Sequence, residues 1–557
     1  MDDYYDLGGY GRQVTTDSPD AQLWFNRGLI WCYAFNHEEA VRCFRKATEY
    51  DDSCALAYWG VAYASGCNYN KPWAAFAPDE LVQAVADCRR ATDAALARSP
   101  EAAPTEQALI RALEARYQSD QVVSEDEFLA WNDDYAAAMR AVYTAFPDDL
   151  DVCSLFAEAL ISRTPWQLWN LQSGQPADGA DTVEAMEVLE QGMALADERG
   201  IAHPGLPHLY VHTMEMSPHP EKALRAADSL REMIPDAGHL LHMPSHIDVL
   251  CGHYYAGMVA NSRAIVADRK FLQREGAFNF YTLYRSHNYH FKLYCAMFLG
   301  QFRPALEAAT ELSTSIPEEL LRVDGSALAD WLEGFVAMKM HALVRFGKWE
   351  EIVAEPLPVD TALYCVTTAM VYYAKGVAHA ASGRVSQAEG EQRAFVAALV
   401  NVPESRMIFN NKCVDVLAIA GEMLAGEIDY RKGQHDSAFT HLRRAVELDD
   451  GLPYDEPWGW MQPARHALGA LLLEQNRVAE AEAVYRADLG LDATLSRPSQ
   501  HPENVWSLHG FVECLHKLGK HSEAAIFQPR LDLAVARADV EISASCYCRI
   551  GNDTCCD

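Results

Sequence analysis

Three histidine clusters fall between Ala202 and Phe291, and they hold ten of the chain's 20 histidines. The first is Pro207-His-Leu-Tyr-Val-His-Thr-Met-Glu215, the second Gly238-His-Leu-Leu-His-Met-Pro-Ser-His246 and the third Ser286-His-Asn-Tyr-His290. His208 and His212 are four apart, as are His242 and His246, and His287 and His290 are three apart. On a helix such spacings put two imidazoles on one face. Packing several imidazoles together is unfavourable unless something shares their lone pairs, and a metal ion does so. We therefore expect His208, His212, His239, His242, His246, His287 and His290 to be metal ligands converging on one site.

The ligand types narrow the metal. Six or seven imidazoles with one nearby carboxylate suit copper, or alternatively zinc, better than a carboxylate-rich di-iron site. Glu215 shares a helical face with His208 and His212. It is the candidate catalytic group, with three roles open: ligand, acceptor for an imidazole N–H, or general base. Tyr210, Tyr284, Asn288 and Tyr289 are candidates to support the ligands. His203 and His219 flank prolines and His253 sits in a Gly-His-Tyr turn, so these are poorer ligands.

A scaffold must bring the clusters together, and composition says it is helical. Alanine is abundant, β-branched runs are few and no period-2 stretch recurs, which favours an all-α chain. With 46 basic against 79 acidic residues, the net charge of −33 argues against a nucleic-acid groove or an anionic membrane partner. The first residues, Met1-Asp-Asp-Tyr-Tyr-Asp, lack a basic start and an apolar run, so the expectation is a cytoplasmic protein. Fifteen cysteines spread over the chain read mostly as reduced thiols. The tail differs: Cys546-Tyr-Cys548 could ligate a soft metal, and Cys555-Cys556 is a candidate redox pair.

From Trp24 onward small and large residues recur at fixed spacing. Gly28, Ala40 and Ala47 are placed for close helix crossings, and Trp24, Trp31 and Phe44 fill the gaps between them. The pattern returns at Ala57-Tyr-Trp-Gly60, at Gly426 with Ala438 and Ala445, and at Leu468-Gly469 with Ala481 and Tyr485. Loops interrupt it at Cys67–Trp73 and at 170–181. The chain thus resembles the tetratricopeptide-repeat family, and a histidine-bearing subset of it: Cys43-Phe-Arg-Lys-Ala-Thr, His208-Leu-Tyr-Val-His212 with Glu215, Pro244-Ser-His-Ile and His287-Asn-Tyr-His-Phe291 carry the likeness. The resemblance implies an all-α, tetratricopeptide-like right-handed helical-repeat solenoid of helical pairs, with a concave face that binds ligands.

By that resemblance, alignment on Ala223, Ala256 and Ala305 puts His208, His212 and Glu215 at repeat positions 5, 9 and 12, and His287 and His290 at 2 and 5, all lining the groove. His239, His242 and His246 fall one step off, a shift assigned to Pro244 inside the helix. His466 and His509 lie far along the array and read as structural. Trp166, Trp169, Trp458 and Trp460 lie in irregular stretches that either pad loops or cover a substrate.

The organisation expected is an arm over residues 1–17, a repeat array over 18–535 with the histidines at 203–291, and a Cys-rich tail over 536–557. The leading functional expectation is a copper-dependent oxidoreductase acting on a small organic molecule in the groove. Two others stand beside it: a non-catalytic scaffold holding a peptide or protein on the concave face, and a zinc hydrolase or lyase using Glu215.

Overall fold

The computed structural model describes residues 4–323 and 327–549. Among them helices dominate, as the composition and spacing predict. Among the described residues, β structure is two short antiparallel ladders, β1 (Trp169–Asn170) with β2 (Gln175–Pro176) and β3 (Met407–Ile408) with β4 (Asn411–Lys412), and one isolated bridge, Asn68 with Lys71. No helix among the described residues is long and apolar enough to cross a membrane. The chain divides into two compact units: Met1–Ile247 with Arg263–Tyr281, and Asp248–Ser262 with Thr282–Asp557.

The first unit begins with α1 (Pro19–Tyr33), α2 (His37–Tyr50), α3 (Ala55–Ser65) and α4 (Pro78–Arg98). It continues with α5 (Pro104–Arg116), α6 (Glu125–Ala145), α7 (Leu150–Ile161), α8 (Thr182–Arg199), α9 (Gly205–Met214), α10 (Leu224–Leu230) and α11 (Gly238–His242). Helices α12 (Pro244–Leu250) and α13 (Tyr254–Glu275) each contribute residues to both units. Starts are set locally. Ser18 accepts the Ala21 N–H ahead of Pro19, and Ser124 with Glu127 forms a capping box on α6.

The small/large logic of the sequence is visible at α2. The Phe44 ring is fully buried and lies against both Gly28 on α1 and Gly60 on α3. A Cβ at either glycine would meet that ring, at 2.7 Å from Gly28 and 2.5 Å from Gly60. One aromatic thus locks three helices, and burying it contributes roughly 2–3 kcal/mol.

The arm at the amino terminus, which composition gives as polar and loosely held, is pinned. Tyr5, Leu7 and Val14 are buried. The Tyr4 hydroxyl donates to Glu39 and accepts from the Trp31 indole at 3.0 Å. Arg12 pairs with Asp149 at 2.7 Å and Asp151 at 2.9 Å. Its apolar side chains override a polar average.

The second unit runs through α14 (Tyr281–Phe298), α15 (Phe302–Ser315), α16 (Glu318–Leu321), α17 (Ala327–Val336), α18 (Met338–Arg345) and α19 (Trp349–Ala354). Then follow α20 (Cys365–Ala381), α21 (Val385–Leu399), α22 (Cys413–Arg431), α23 (His435–Asp450), α24 (Ala464–Glu474), α25 (Val478–Asp488), α26 (Val505–Lys517) and α27 (His521–Val535). The motif of α2 recurs here, with the Tyr485 ring of α25 packed against Gly469 of α24 and Gly510 of α26. Beyond α27 the chain is irregular, and Cys546 and Cys548 are joined as a disulfide. As a disulfide the pair offers no thiolate, so the expected tail ligands are not available without reduction. Cys555 and Cys556 lie outside the described residues.

Candidate metal centre

All ten residues of α9 are buried, as suits a helix apolar on every side. Pro207 sits in its first turn, where no intrahelical N–H is required. His203 supports that turn. Its Nδ1 accepts the Gly205 and Leu206 N–H groups at 3.1 and 3.2 Å, so its Nε2–H donates to Asp151 at 3.2 Å. The residue is a helix cap, consistent with its low standing as a ligand. Asp151 also accepts from the Tyr10 and Tyr33 hydroxyls at 2.7 and 2.6 Å.

The second cluster is broken where Pro244 requires it. Helix α11 ends at His242, and Pro244 opens α12, where its missing N–H costs nothing.

Five imidazoles meet in the first unit, each at most 1 % exposed. His208 Nδ1–H donates to the Tyr33 carbonyl at 2.7 Å, which leaves Nε2 as the lone-pair atom. That Nε2 lies 3.0 Å from Nε2 of His239. His212 Nδ1–H donates to one oxygen of Glu215 at 2.9 Å, and His212 Nε2 has no hydrogen-bond partner. His246 Nδ1–H donates to the other oxygen of Glu215 at 2.5 Å. The Ser245 hydroxyl donates to the His242 carbonyl at 2.6 Å, so His242 Nδ1–H donates to Ser245 Oγ at 3.3 Å. His242 and His246 then face each other through Nε2 at 2.6 Å.

Four rings therefore spend Nδ1 on a protein acceptor and turn the Nε2 lone pair inward. Two inward lone pairs at such distances repel unless a proton or cation lies between them. The groups His208, His212 and His239, and His212, Glu215 and His246, each bring their ligand atoms within 4.8 Å of one another. Burial disfavours the charged imidazolium, lowering the pKa of His208 to about 3 and that of His212 well below its ordinary value. The donor set fits a metal cation: buried, nitrogen-rich and fixed in tautomer.

Glu215 takes a definite part. It is fully buried and gives one oxygen to each of His212 and His246. That geometry orients two imidazoles; it does not present a free carboxylate oxygen to a substrate. With both oxygens so engaged, Glu215 acts as the acceptor for two imidazole N–H groups, one of its three expected roles.

Aromatic side chains from irregular segments flank the rings. Phe35 lies 4.5 Å from His208, and stacks on His212 at 5.6 Å and His239 at 5.4 Å between ring centres. Tyr69 and Trp166 stand 5.1 and 5.7 Å from His212. Trp169 donates its indole N–H to the Thr213 carbonyl at 2.7 Å, tying its loop to the end of α9. Phe35 and Trp166 hold φ of 53° and 61°, a region that bulky residues rarely adopt. Sequence reasoning missed Phe35, Tyr69, Tyr33 and Ser245. The interruption at Cys67–Trp73 was the one available signal, since Tyr69 comes from it.

His287 and His290 belong to the second unit, where both are buried, His287 against Phe409 at 4.8 Å and His290 against Phe335 at 5.2 Å. Neither ring nitrogen of His290 has a hydrogen-bond partner. Tyr210 turns its hydroxyl to Glu190 at 2.7 Å. Trp460 is buried against His341, and Trp458 donates to the Pro498 carbonyl. His466 donates to the buried Asp488 at 3.0 Å, a structural role.

Residues 21–54 match the tetratricopeptide repeat family model. No curated relative matches the chain at a significant level. Among solved structures, the human IFIT1 dimer with m7Gppp-AAAA is similar at 10% identity and TM-score 0.32, over 94% of this chain and 92% of that one. Yeast Tom70 is similar at 11% identity and TM-score 0.30, over 93% and 91%. Likenesses this distant bear on neither function nor arrangement. The chain thus carries a tetratricopeptide repeat at residues 21–54, followed by further helical pairs.

Proposed function

We propose that this tetratricopeptide-repeat protein binds copper through the imidazoles of its first unit and is an oxidoreductase acting on a small organic molecule. The observation that carries the reading is the paired set of inward nitrogens, His208 with His239 and His242 with His246, whose outer nitrogens His208, His242 and His246 commit to protein acceptors. Neutral imidazole is a preferred ligand of copper, and copper leads the divalent affinity order. Copper held there would supply one-electron chemistry. The chain's own part is to fix the rings: Tyr33, Ser245 and Glu215 set the tautomers. Phe35, Tyr69 and Trp166 give the rings an apolar flank that favours exclusion of water and an apolar or aromatic substrate.

The sequence expectation extends the ligand set to His287 and His290, and metal stoichiometry of a variant lacking both tests that extension. The zinc hydrolase reading is weaker, because Glu215 is already engaged on both oxygens. The deciding experiment strips the purified protein with a chelator and adds back Cu(II) or Zn(II) separately. The copper reading expects an electron paramagnetic resonance signal with nitrogen hyperfine structure, and oxygen uptake in the presence of a reductant and substrate candidates. Tight zinc binding with no such copper signal would sink it.

A further inference from the structure

The irregular segment after α27 is held largely by side chains of the helices beside it, with a turn of its own closed by the Arg549 N–H on the Cys546 carbonyl at 3.1 Å. Arg345 at the end of α18 donates to the Ser545 carbonyl, and Arg431 at the end of α22 donates to the Cys548 carbonyl. The Ser545 hydroxyl donates to the His466 carbonyl on α24 at 2.8 Å and accepts from the Tyr485 hydroxyl at 2.5 Å. Arg549 forks onto Glu513 of α26 at 2.6 and 2.9 Å. Asp539 anchors the near end, accepting N–H groups of Phe302 and Arg303 at the start of α15. Ser545 and Cys548 are only 2 % and 3 % exposed.

We propose that α18, α22, α24 and α26 form a binding surface for a short turn-forming peptide, and that the chain's own segment Asp539–Arg549 occupies it as a displaceable ligand. Two features separate this from a tail that merely completes the core. The grip falls on main-chain carbonyls, which every peptide carries. The arginine that makes it, Arg345, is 4 % exposed and divides its charged donors between two neutral acceptors, the Ser545 carbonyl and His466 Nδ1 at 2.9 Å. A buried arginine without a carboxylate is a poor device for stability, whereas a guanidinium fork is well suited to hold a peptide backbone. Burial accordingly lowers the Arg345 pKa to about 9. Specificity falls on two side chains. The pocket at Ser545 takes a small hydroxyl residue between Tyr485 and His466, and Glu513 selects a basic residue four positions on. The surface therefore fits a turn with serine, then arginine at that spacing.

The test keeps the full chain. Ser545→Arg places a bulky cation in a buried hydroxyl site and expels the chain's own segment. A fluorescent synthetic peptide of residues 539–549 is then titrated by anisotropy. The variant should bind it at least about tenfold more tightly than the parent chain, whose surface is already filled. Arg431→Met added to that variant should remove the gain, and a peptide carrying Arg549→Glu should not bind. Arg549→Glu in the chain is the second opener; it repels Glu513 from a partly exposed position and leaves the buried pocket intact. Equal binding by the parent chain and both openers, or no binding by either opener with helical circular dichroism unchanged, overturns the proposal.

Discussion

His242 and His246 sit on opposite sides of the helix break at Met243, yet bring their Nε2 atoms within 2.6 Å of each other. An unbroken helix would also stack residues four apart, but Pro244 closes off the ladder there and resets the turn. His246 is left free to send Nδ1 back to Glu215.

The His242→Ala, His246→Ala pair is therefore expected to lower copper affinity by more than about 100-fold, since even outer partners of ligands are worth 10–100-fold. His466→Ala and His509→Ala should keep the parent stoichiometry. Elemental analysis of the purified variants checks both, and equal metal content in all of them would remove the imidazole site from the account.

Glu215→Gln keeps the shape of the side chain but offers one acceptor oxygen where two imidazole N–H groups need one each. One of His212 and His246 loses its orienting partner. Copper affinity should fall roughly 10–100-fold with the fold intact, read by competition against a chelator. An unchanged affinity would mean that the two hydrogen bonds do not set the ligands.

Phe44→Ala should cost about 3–5 kcal/mol, because the ring fills the space shared by Gly28 and Gly60 and the backbone on both sides cannot easily close. Gly28→Ala should cost about 1–3 kcal/mol for the opposite reason, a methyl group driven into the same ring. Urea titration followed at the helical band measures both.

Asp449 gives a pH test. Burial, with Asp450 adding repulsion, raises its pKa to about 7 while its carboxylate accepts the Ala464 N–H at 2.9 Å. The unfolded chain releases this proton near pH 3.9 and the folded one only near pH 7, so the folded state binds more protons in between. Stability from this group falls as pH rises from about 4 to about 7 and is level beyond. Asp449→Asn should gain stability relative to the parent at pH 8 and not at pH 4. Parallel denaturation curves at the two pH values decide it.

The scaffold was readable because its rule is periodic. Gly28, Ala40 and Phe44 stand at spacings that only paired helices satisfy, and the three histidine clusters announce themselves by residue type. What surrounds the imidazoles was not readable. Phe35, Tyr69 and Trp166 come from turns and interruptions, where no period ties sequence position to direction, and tertiary contacts alone aim the rings. Three roles for Glu215 stood open in the sequence, and its second imidazole partner, His246, thirty-one residues on, was not visible there. The arm's polar average hid the burial of Tyr5, Leu7 and Val14.

Three aromatics share an uncomfortable backbone. Phe35, Trp166 and Phe409 hold φ of 53°, 61° and 45°, and each lies against a cluster histidine of its own unit, Phe409 against His287. Such conformations cost on the order of 1–3 kcal/mol each. Glycine would relieve that cost at every one of them and remove the ring at the same stroke. At buried Phe35 the lost ring burial, about 3–5 kcal/mol, outweighs that relief, so a laboratory selection for heat resistance alone would keep the strained aromatic beside His212 rather than drift to glycine.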